Sequence, residues 1–366
     1  TFFTIYFVFN FHKFKIPKIF WVITYLIIIS TLISIFRFDY DYKLFLKVFI
    51  PTVIILSASY DVLLKRLNNL FHIFHFYLKV SFYAAIFGIV QWVLSIFGIN
   101  ILIKAPGLLD SIAYEPSHYA VIIMPAAVYV LKNFKKNIIE SIVIVTSLIL
   151  TFSFTSYFVL TFALLIPYIN FRSLLKIVIS IYLITFAIQF LPERVSVRLD
   201  SLNLLYDENN DYRDPESNLT TMSFSSNLDV MLYSLEKNVL TGAGLGYHSI
   251  VYEEYFKHDN YFKAHPWYGI NSVASHSLTM RIIAELGVLG GVIFVLFLTK
   301  NYIKSNKQYY IHHVIALAII SHFFAKTLKL SGYIDYGTPF FIAFLLINKL
   351  HYTLSKEIVL HKSNIV

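Results

Sequence analysis

The sequence predicts an all-α polytopic membrane protein with about eleven transmembrane helices and one long non-cytoplasmic loop, and three observations carry this. The first is composition. Of 366 residues, 57% are hydrophobic and 14% are charged, against roughly 25% charged in a soluble domain. An aqueous globule of this length cannot hide so much Leu, Ile, Val and Phe. The second is a series of apolar runs, most of them near the roughly 20 residues that cross a bilayer core. The third is charge placement. The net charge is +9, yet 16 of the 30 Lys and Arg fall in six short segments: Lys13 to Lys18, Lys65 and Arg66, Lys132 to Lys136, Arg172 to Lys176, Lys300 to Lys307, and the tail from Lys349. These segments alternate with connections that are not basic. That is the positive-inside pattern of a multi-span protein, and it argues against nucleic acid as the partner.

In order, the apolar runs predict spans at 1–11, 19–36, 44–62, 71–98, 118–132, 138–154, 156–171, 177–191, 278–299, 309–327 and 335–349. The run 71–98 is long for one crossing, so tilt or a kink is expected. With the basic segments inside, the polarity alternates through all the spans and the tail is cytoplasmic. The chain opens at Thr1 inside an apolar run, so its native start is expected to precede it, and no cleavable signal-peptide pattern is visible. Cysteine is absent, which excludes disulfides, thiolate nucleophiles and Cys metal sites. Three regions follow: N-terminal spans in 1–191, a large loop in 192–275, and C-terminal spans with a cytoplasmic tail in 276–366.

The loop of 84 residues carries twelve acids and six bases. A connection this long in a compact protein is functional or lacks a fold. Its middle, DENNDYRDPESNLTTMSFSSN (207–227), reads as turn-rich and polar. The following LDVMLYSLEKNVL (228–240) has apolar residues at helical spacing and predicts an amphipathic surface helix. A shorter outer loop, INILIKAPGLLDSIAYEPSH (99–118), ends just before a span. Pro116 suits the first helical turn, where a missing N–H costs nothing. Glu115 then sits at a helix N-terminus, which favours its charge.

Ionisable residues therefore gather at one surface: Glu115, His118, Arg194, Arg198, Arg213, Lys237, His276, Arg281, Lys326 and Lys329. Each has a purely structural alternative. His276 fits an interfacial polar residue beside capping serines Ser275 and Ser277. Arg281 and Glu285 are spaced to pair with each other. On a helical wheel Arg281 lies about 140° from His276, so the two share a focus only if the helix start is irregular. Arg198 is either a headgroup-level arginine or a phosphate clamp, since a guanidinium fork fits two phosphate oxygens and never deprotonates. LTGAGLGYHS (240–249) is neither a Rossmann nor a Walker loop. Its glycines permit close approach of a backbone or a sugar. Aromatics in YFKHDNYFKAHPWYG (255–269) suit sugar stacking or an interfacial belt. The pairs His72/His75 and His312/His313 have no convincing metal spacing, and NLT (218–220) is a glycosylation sequon in form only.

The ordered set is the most informative signal: YEPSHYAVIIMP at a span start, an outer loop ending in NVLTGAGLGYHS, then SHSLTMRIIAELGVLGGVIF. This order resembles the superfamily of O-antigen polymerases (Wzy-type) and O-antigen ligases of bacterial envelopes. In that family a G.G.G turn precedes a His, often His-Asn, and a helix with an E.G..G pattern. Here His276-Ser277 replaces His-Asn, while Glu285, Gly287 and Gly290 fit the rest. The EPS element resembles the polymerase branch. The family arginine within SFSSNLDVMLYSLEKN is absent, with Asn227 and Lys237 nearest. The resemblance covers about 113 to 298.

It implies a GT-C-like membrane bundle in the bacterial inner membrane, with a periplasmic site and metal-independent chemistry without a cofactor. The implied substrate is undecaprenyl-pyrophosphate-linked oligosaccharide, with membrane lipids, a chain-length regulator and a flippase as partners. Cations would stabilise the departing pyrophosphate, and a carboxylate or imidazole would take the proton of the acceptor hydroxyl. On this reading Glu115, His276 and Arg198 are catalytic. Arg281, Arg213, Lys237, His118, Gly244, Gly246 and His248 bind substrate. An O-antigen ligase differs mainly in its acceptor, lipid A core. A flippase would be expected to show inverted repeats and paired broken helices, and neither is visible. A membrane scaffold would not need Glu115, Arg198 or His276.

Overall fold

The computed structural model describes residues 24–25, 27–32, 42–102, 107–113, 115–168 and 219–363. In chain order its α-helices are α1 (Tyr42–Lys65), α2 (Leu70–Ile96), α3 (Pro116–Lys132), α4 (Ile138–Ile149), α5 (Phe154–Leu165), α6 (Leu219–Lys237), α7 (His248–Tyr255), α8 (Asn260–Lys263), α9 (Leu278–Asn301), α10 (Tyr310–Leu328) and α11 (Thr338–Ser363). The sole strand-like feature among the described residues is an isolated parallel bridge between Ser277 and Leu330. Among the same residues four helices are long and apolar enough to cross a membrane: α1, α2 with the turn before it, α9, and α10 with the turn before it. The chain is thus a helical, membrane-embedded protein. The expected spans 1–11 and 177–191, and most of 19–36, lie outside the described residues.

The spans expected at 138–154 and 156–171 take a different form. Helices α4 and α5 have 12 residues each, about 18 Å of rise, well short of a bilayer core of roughly 30 Å. They each pack against α3 and are joined by a buried turn, with Thr151 and Ser153 inside. The outer loop dips to meet it, and the Leu109 N–H donates to Leu150 O at 3.0 Å. Gly88 on α2 makes the dip possible, because a Cβ there would sit 2.8 Å from the Leu109 side chain. The Ser111 hydroxyl then donates to Ala84 O at 2.7 Å. Composition registers the apolar runs but not their depth.

Helix α10 is the hub, packed against α3, α5, α9 and α11. Its partner α3 carries Pro125 in mid-helix. Proline has no N–H, so the carbonyl of Val121, four residues earlier, loses its helical donor. In an apolar core that carbonyl must be satisfied by a neighbour. His322 of α10 supplies the donor, Nδ1 to Val121 O at 3.0 Å, and the Tyr77 hydroxyl donates to Ile122 O at 2.8 Å. His322→Phe should therefore destabilise the protein by about 1–3 kcal/mol through an orphaned carbonyl. Adding Pro125→Ala, which restores the N–H, should recover most of the loss in a thermal-denaturation assay.

The two ends of the bundle differ in charge. The Tyr310 hydroxyl donates to Lys132 O, Lys132 Nζ donates to Leu164 O, and His313 Nδ1 lies 2.7 Å from Ile303 O. These contacts bring the basic connections 132–136 and 300–307 to one end. Glu115 caps the far end of the 17-residue helix α3, about 25 Å away, together with segments 275–277 and 329–337.

Helix α6 departs from expectation. It begins at Leu219, inside the stretch read as turn-rich, and it is not a free surface helix. Ser223, Ser226, Asn227, Val230 and Ser234 form a buried stripe against α9. Small polar residues look like a turn in sequence, yet at i, i+3, i+4 spacing they let two helices approach closely. With α7 and α8 it encloses a small core of Met222, Val230, Tyr247, Val251, Tyr252, Phe256 and Phe262.

Candidate functional site

The glycine turn and α9 form one unit. Gly287 sits within α9 at φ 66°, ψ −167° and breaks the helix. The break strands backbone groups on both sides, and residues 239–244 satisfy them. The N–H groups of Ala243 and Gly244 donate to Ala284 O and Glu285 O at 2.9 and 2.8 Å. In return the N–H groups of Val288 and Leu289 donate to Val239 O and Leu240 O at 2.9 and 3.2 Å. Contact is so close that a Cβ on Gly242 would lie 2.6 Å from Ala284 O. One on Gly246 would lie 2.7 Å from Leu44 O of α1. The close partner of Gly242 and Gly246 is backbone, and Gly244 contributes its N–H to Glu285 O.

Just above the break, Arg281 and Glu285 are both buried, and Arg281 Nε donates to Glu285 Oε1 at 3.0 Å. The Tyr333 hydroxyl donates to the other carboxylate oxygen at 3.0 Å, and its ring lies 4.4 Å from the guanidinium carbon. Burial and the Glu285 charge hold the Tyr333 phenol well above its usual pKa, so it stays a donor. The spacing-based expectation of an Arg281–Glu285 pair is met. Beside it Lys326, fully buried, donates to Asp335, to Gly332 O and to Thr338 Oγ1. All three of its N–H groups are thereby spent on holding the 329–338 connection in place.

That connection carries Lys329 and Tyr336 to the end opposite the basic connections. Lys329 Nζ lies 3.9 Å from Glu115 Oε2. His118 Nε2 lies 3.7 Å from the same oxygen, and the Tyr336 hydroxyl meets His118 Nδ1 at 2.7 Å. His276 is delivered by the segment before α9, where Ser277 caps the helix by accepting from Met280 N–H at 3.3 Å. The helix begins at Leu278, so the wheel angle between His276 and Arg281 does not apply. His276 is pinned by Ser223 of α6 at Nδ1, 2.9 Å, and by its own carbonyl, which accepts from Leu330 N–H at 3.0 Å. Behind it, His248 Nε2 meets Asn227 Oδ1 at 2.8 Å. Asn227, where the family arginine is absent, thus serves a buried hydrogen bond.

Of the residues expected at the site, Glu115, His118 and His276 share this end: Lys329 and His118 face Glu115, and the neighbouring Leu330 holds His276. Arg281 and His248 lie one layer behind. Lys237 stands apart, 3.9 Å from Glu254 and over the Tyr233 ring. It is 14 residues beyond Ser223 on α6, about 21 Å along the axis. Arg194, Arg198 and Arg213 lie outside the described residues. In the aromatic stretch, Phe256 and Phe262 pack into the small core, while Tyr261 and Trp267 stay exposed. Tyr333, Ser223 and Asn271 escaped the sequence reading, because nothing local ties them to partners 48 to 53 positions away. Among the described residues no group of three or more His, Cys, Asp or Glu is placed to hold a metal ion.

The histidines make a pH prediction. Burial, then the charge of Lys329, lowers His276 to about 4. Burial, then Arg281, lowers His248 to about 3. Both titrate near 6.5 when unfolded. Between about pH 6.5 and 4 the unfolded chain therefore binds protons that the folded chain refuses, and stability falls as pH falls. The expected slope is up to about 1.4 kcal/mol per pH unit for each histidine. Denaturation at stepped pH should show it, and His248→Gln should remove the His248 share of the slope and leave that of His276.

The chain matches no protein-family model and no curated protein sequence.

Proposed function

We propose that this protein polymerises oligosaccharide repeat units carried on undecaprenyl pyrophosphate into O-antigen or capsular polysaccharide, at the outer face of a bacterial cytoplasmic membrane. The observation that carries the reading is the pairing of Glu115 with Lys329 at the end opposite the basic connections, with the next residue, Leu330, donating its N–H to His276 O at 3.0 Å. The positive-inside rule supports an external position for that end. The ordered motifs around these residues, resembling the O-antigen polymerases, supply the reaction class.

The chemistry suits the groups. An acceptor sugar hydroxyl attacks the anomeric carbon of the growing chain, and the bond from that carbon to the pyrophosphate oxygen breaks. The electron pair leaves with the pyrophosphate, whose charge fixed cations stabilise. Lys329 is one such cation in reach of the cluster, and Arg198 is another on the family resemblance. The hydroxyl proton passes to Glu115 or His276. Glu115 is 44% exposed, accessible to a substrate arriving from outside.

The test is deletion followed by complementation, read as a glycan ladder on a gel. Glu115→Ala, His276→Ala and Arg198→Ala should each cut chain extension by about a hundredfold or more, the usual scale for a proton-transfer or charge-stabilising group. Lys263→Ala, at the exposed end of α8, should leave the ladder full. Loss of polymerase leaves single units on the core, whereas loss of a ligase leaves none. Full ladders from all three site variants would reject the reading.

A further inference from the structure

We propose that Asn271 and Ser223 set the direction of a hydrogen-bond chain ending on His276, making this imidazole a donor from Nε2 and leaving Glu115 to take the acceptor hydroxyl's proton. The inference deepens the polymerase reading and rests on it for the identity of the reactants.

The chain has two links. Asn271 Nδ2 lies 2.6 Å from Ser223 Oγ, and Ser223 Oγ lies 2.9 Å from His276 Nδ1. An amide nitrogen only donates, so the serine oxygen accepts from it. A hydroxyl has one hydrogen. Of the two partners, only His276 Nδ1 can receive it. An Nδ1 that accepts carries no proton, and a neutral imidazole then bears its hydrogen on Nε2. The ring is neutral at pH 7, since burial and Lys329 lower it to about 4.

Local structure locks this arrangement. Asn271 has φ 58°, the left-handed region that Asn tolerates better than most residues. Its carbonyl accepts from Ser275 N–H at 2.6 Å, closing the turn that delivers His276. The amide and the imidazole are thus presented by the same turn. Phe224, next to Ser223 on α6, stands edge-on to the imidazole at 5.7 Å and 82°.

In the transfer, His276 keeps its proton and Nε2–H bonds a substrate oxygen. The proton released by the attacking hydroxyl goes to the Glu115 carboxylate. Asp335 is held by Lys326 at 2.5 Å and the buried Glu285 by Arg281 and Tyr333 at 3.0 Å, whereas Glu115 meets Lys329 only at 3.9 Å and the Ser117 hydroxyl at 3.3 Å. Ser223 and Asn271 are positioning residues, acting through His276.

The test is nitrogen NMR on the full chain in bilayers with 15N-labelled histidine, the His276 signals being identified by their loss in His276→Gln. Wild type should show an unprotonated Nδ1 and a protonated Nε2. Asn271→Asp replaces the donor by an acceptor. Ser223 should then donate to Asp, accept from His276 Nδ1–H, and shift the proton to Nδ1. Asn271→Gly keeps the backbone angle but removes the amide donor, so His276 should show a mixture of the two tautomers. In the ladder assay Asn271→Asp should slow extension about tenfold or more, the scale of one lost hydrogen bond in the transition state. Asn271→Gly should stay within about threefold on the same scale. A wild-type protein with its proton on Nδ1 overturns the inference whatever the glycan does. A proton on Nε2 with full ladders in all three site variants instead strikes the polymerase reading and leaves the hydrogen-bond direction standing.

Discussion

Alanine at Gly287 is expected to deplete the protein from the membrane fraction, with a loss of roughly 4–6 kcal/mol built from three sources. Gly287 occupies φ 66°, ψ −167°, a region that is essentially glycine-only and costs any other residue about 1–3 kcal/mol. Its new Cβ would also sit 2.3 Å from Leu240 O. That oxygen cannot retreat without opening the hydrogen bonds that join 239–244 to α9, each worth about 1 kcal/mol. Against a total stability of about 5–15 kcal/mol, this is a large share of what the protein has. Gly291→Ala is the control. A Cβ there meets nothing closer than 3.4 Å, so the change should stay within about 1 kcal/mol and favour the helix. Equal yield and melting temperature for the two variants would refute the account of the break.

Glu285→Ala should be nearly as damaging, costing about 3–5 kcal/mol, because it leaves a buried guanidinium without its counter-charge. Glu285 is fully buried and serves both Arg281 and Tyr333. Removing both charges is a different experiment. Replacing a buried pair by apolar groups of similar volume is often neutral, so Arg281→Met with Glu285→Leu should recover most of the loss. A double variant no more stable than Glu285→Ala would mean that the pair is not coupled. Recovery of folding without recovery of glycan extension would give Arg281 a second duty toward substrate.

The spans of the fold were legible where length and apolarity suffice. The expected 278–299 and 309–327 correspond to α9, Leu278–Asn301, and α10, Tyr310–Leu328. Depth was not legible, because α4 and α5 have the composition of full spans yet have 12 residues each, and the turn between them is bonded by a loop from a distant position. The start of α6 was hidden for a related reason. Its Thr, Ser and Asn residues favour turns locally, and only the matching face of α9 makes them helical. At the site, Glu115, His276 and the Arg281–Glu285 spacing could be read directly. Their partners Ser223, Tyr333 and Lys329 are tertiary neighbours, and no local pattern announces such contacts.

The glycine-turn junction bears on biogenesis. Residues 239–244 are synthesised before Ala284 and Glu285, so a backbone partner already exists when α9 begins to enter the bilayer. An isolated α9 would expose bare carbonyls, an arginine and a glutamate to lipid, a poor substrate for the insertion machinery. Insertion of this helix and folding of the 239–244 segment are therefore coupled by chain order.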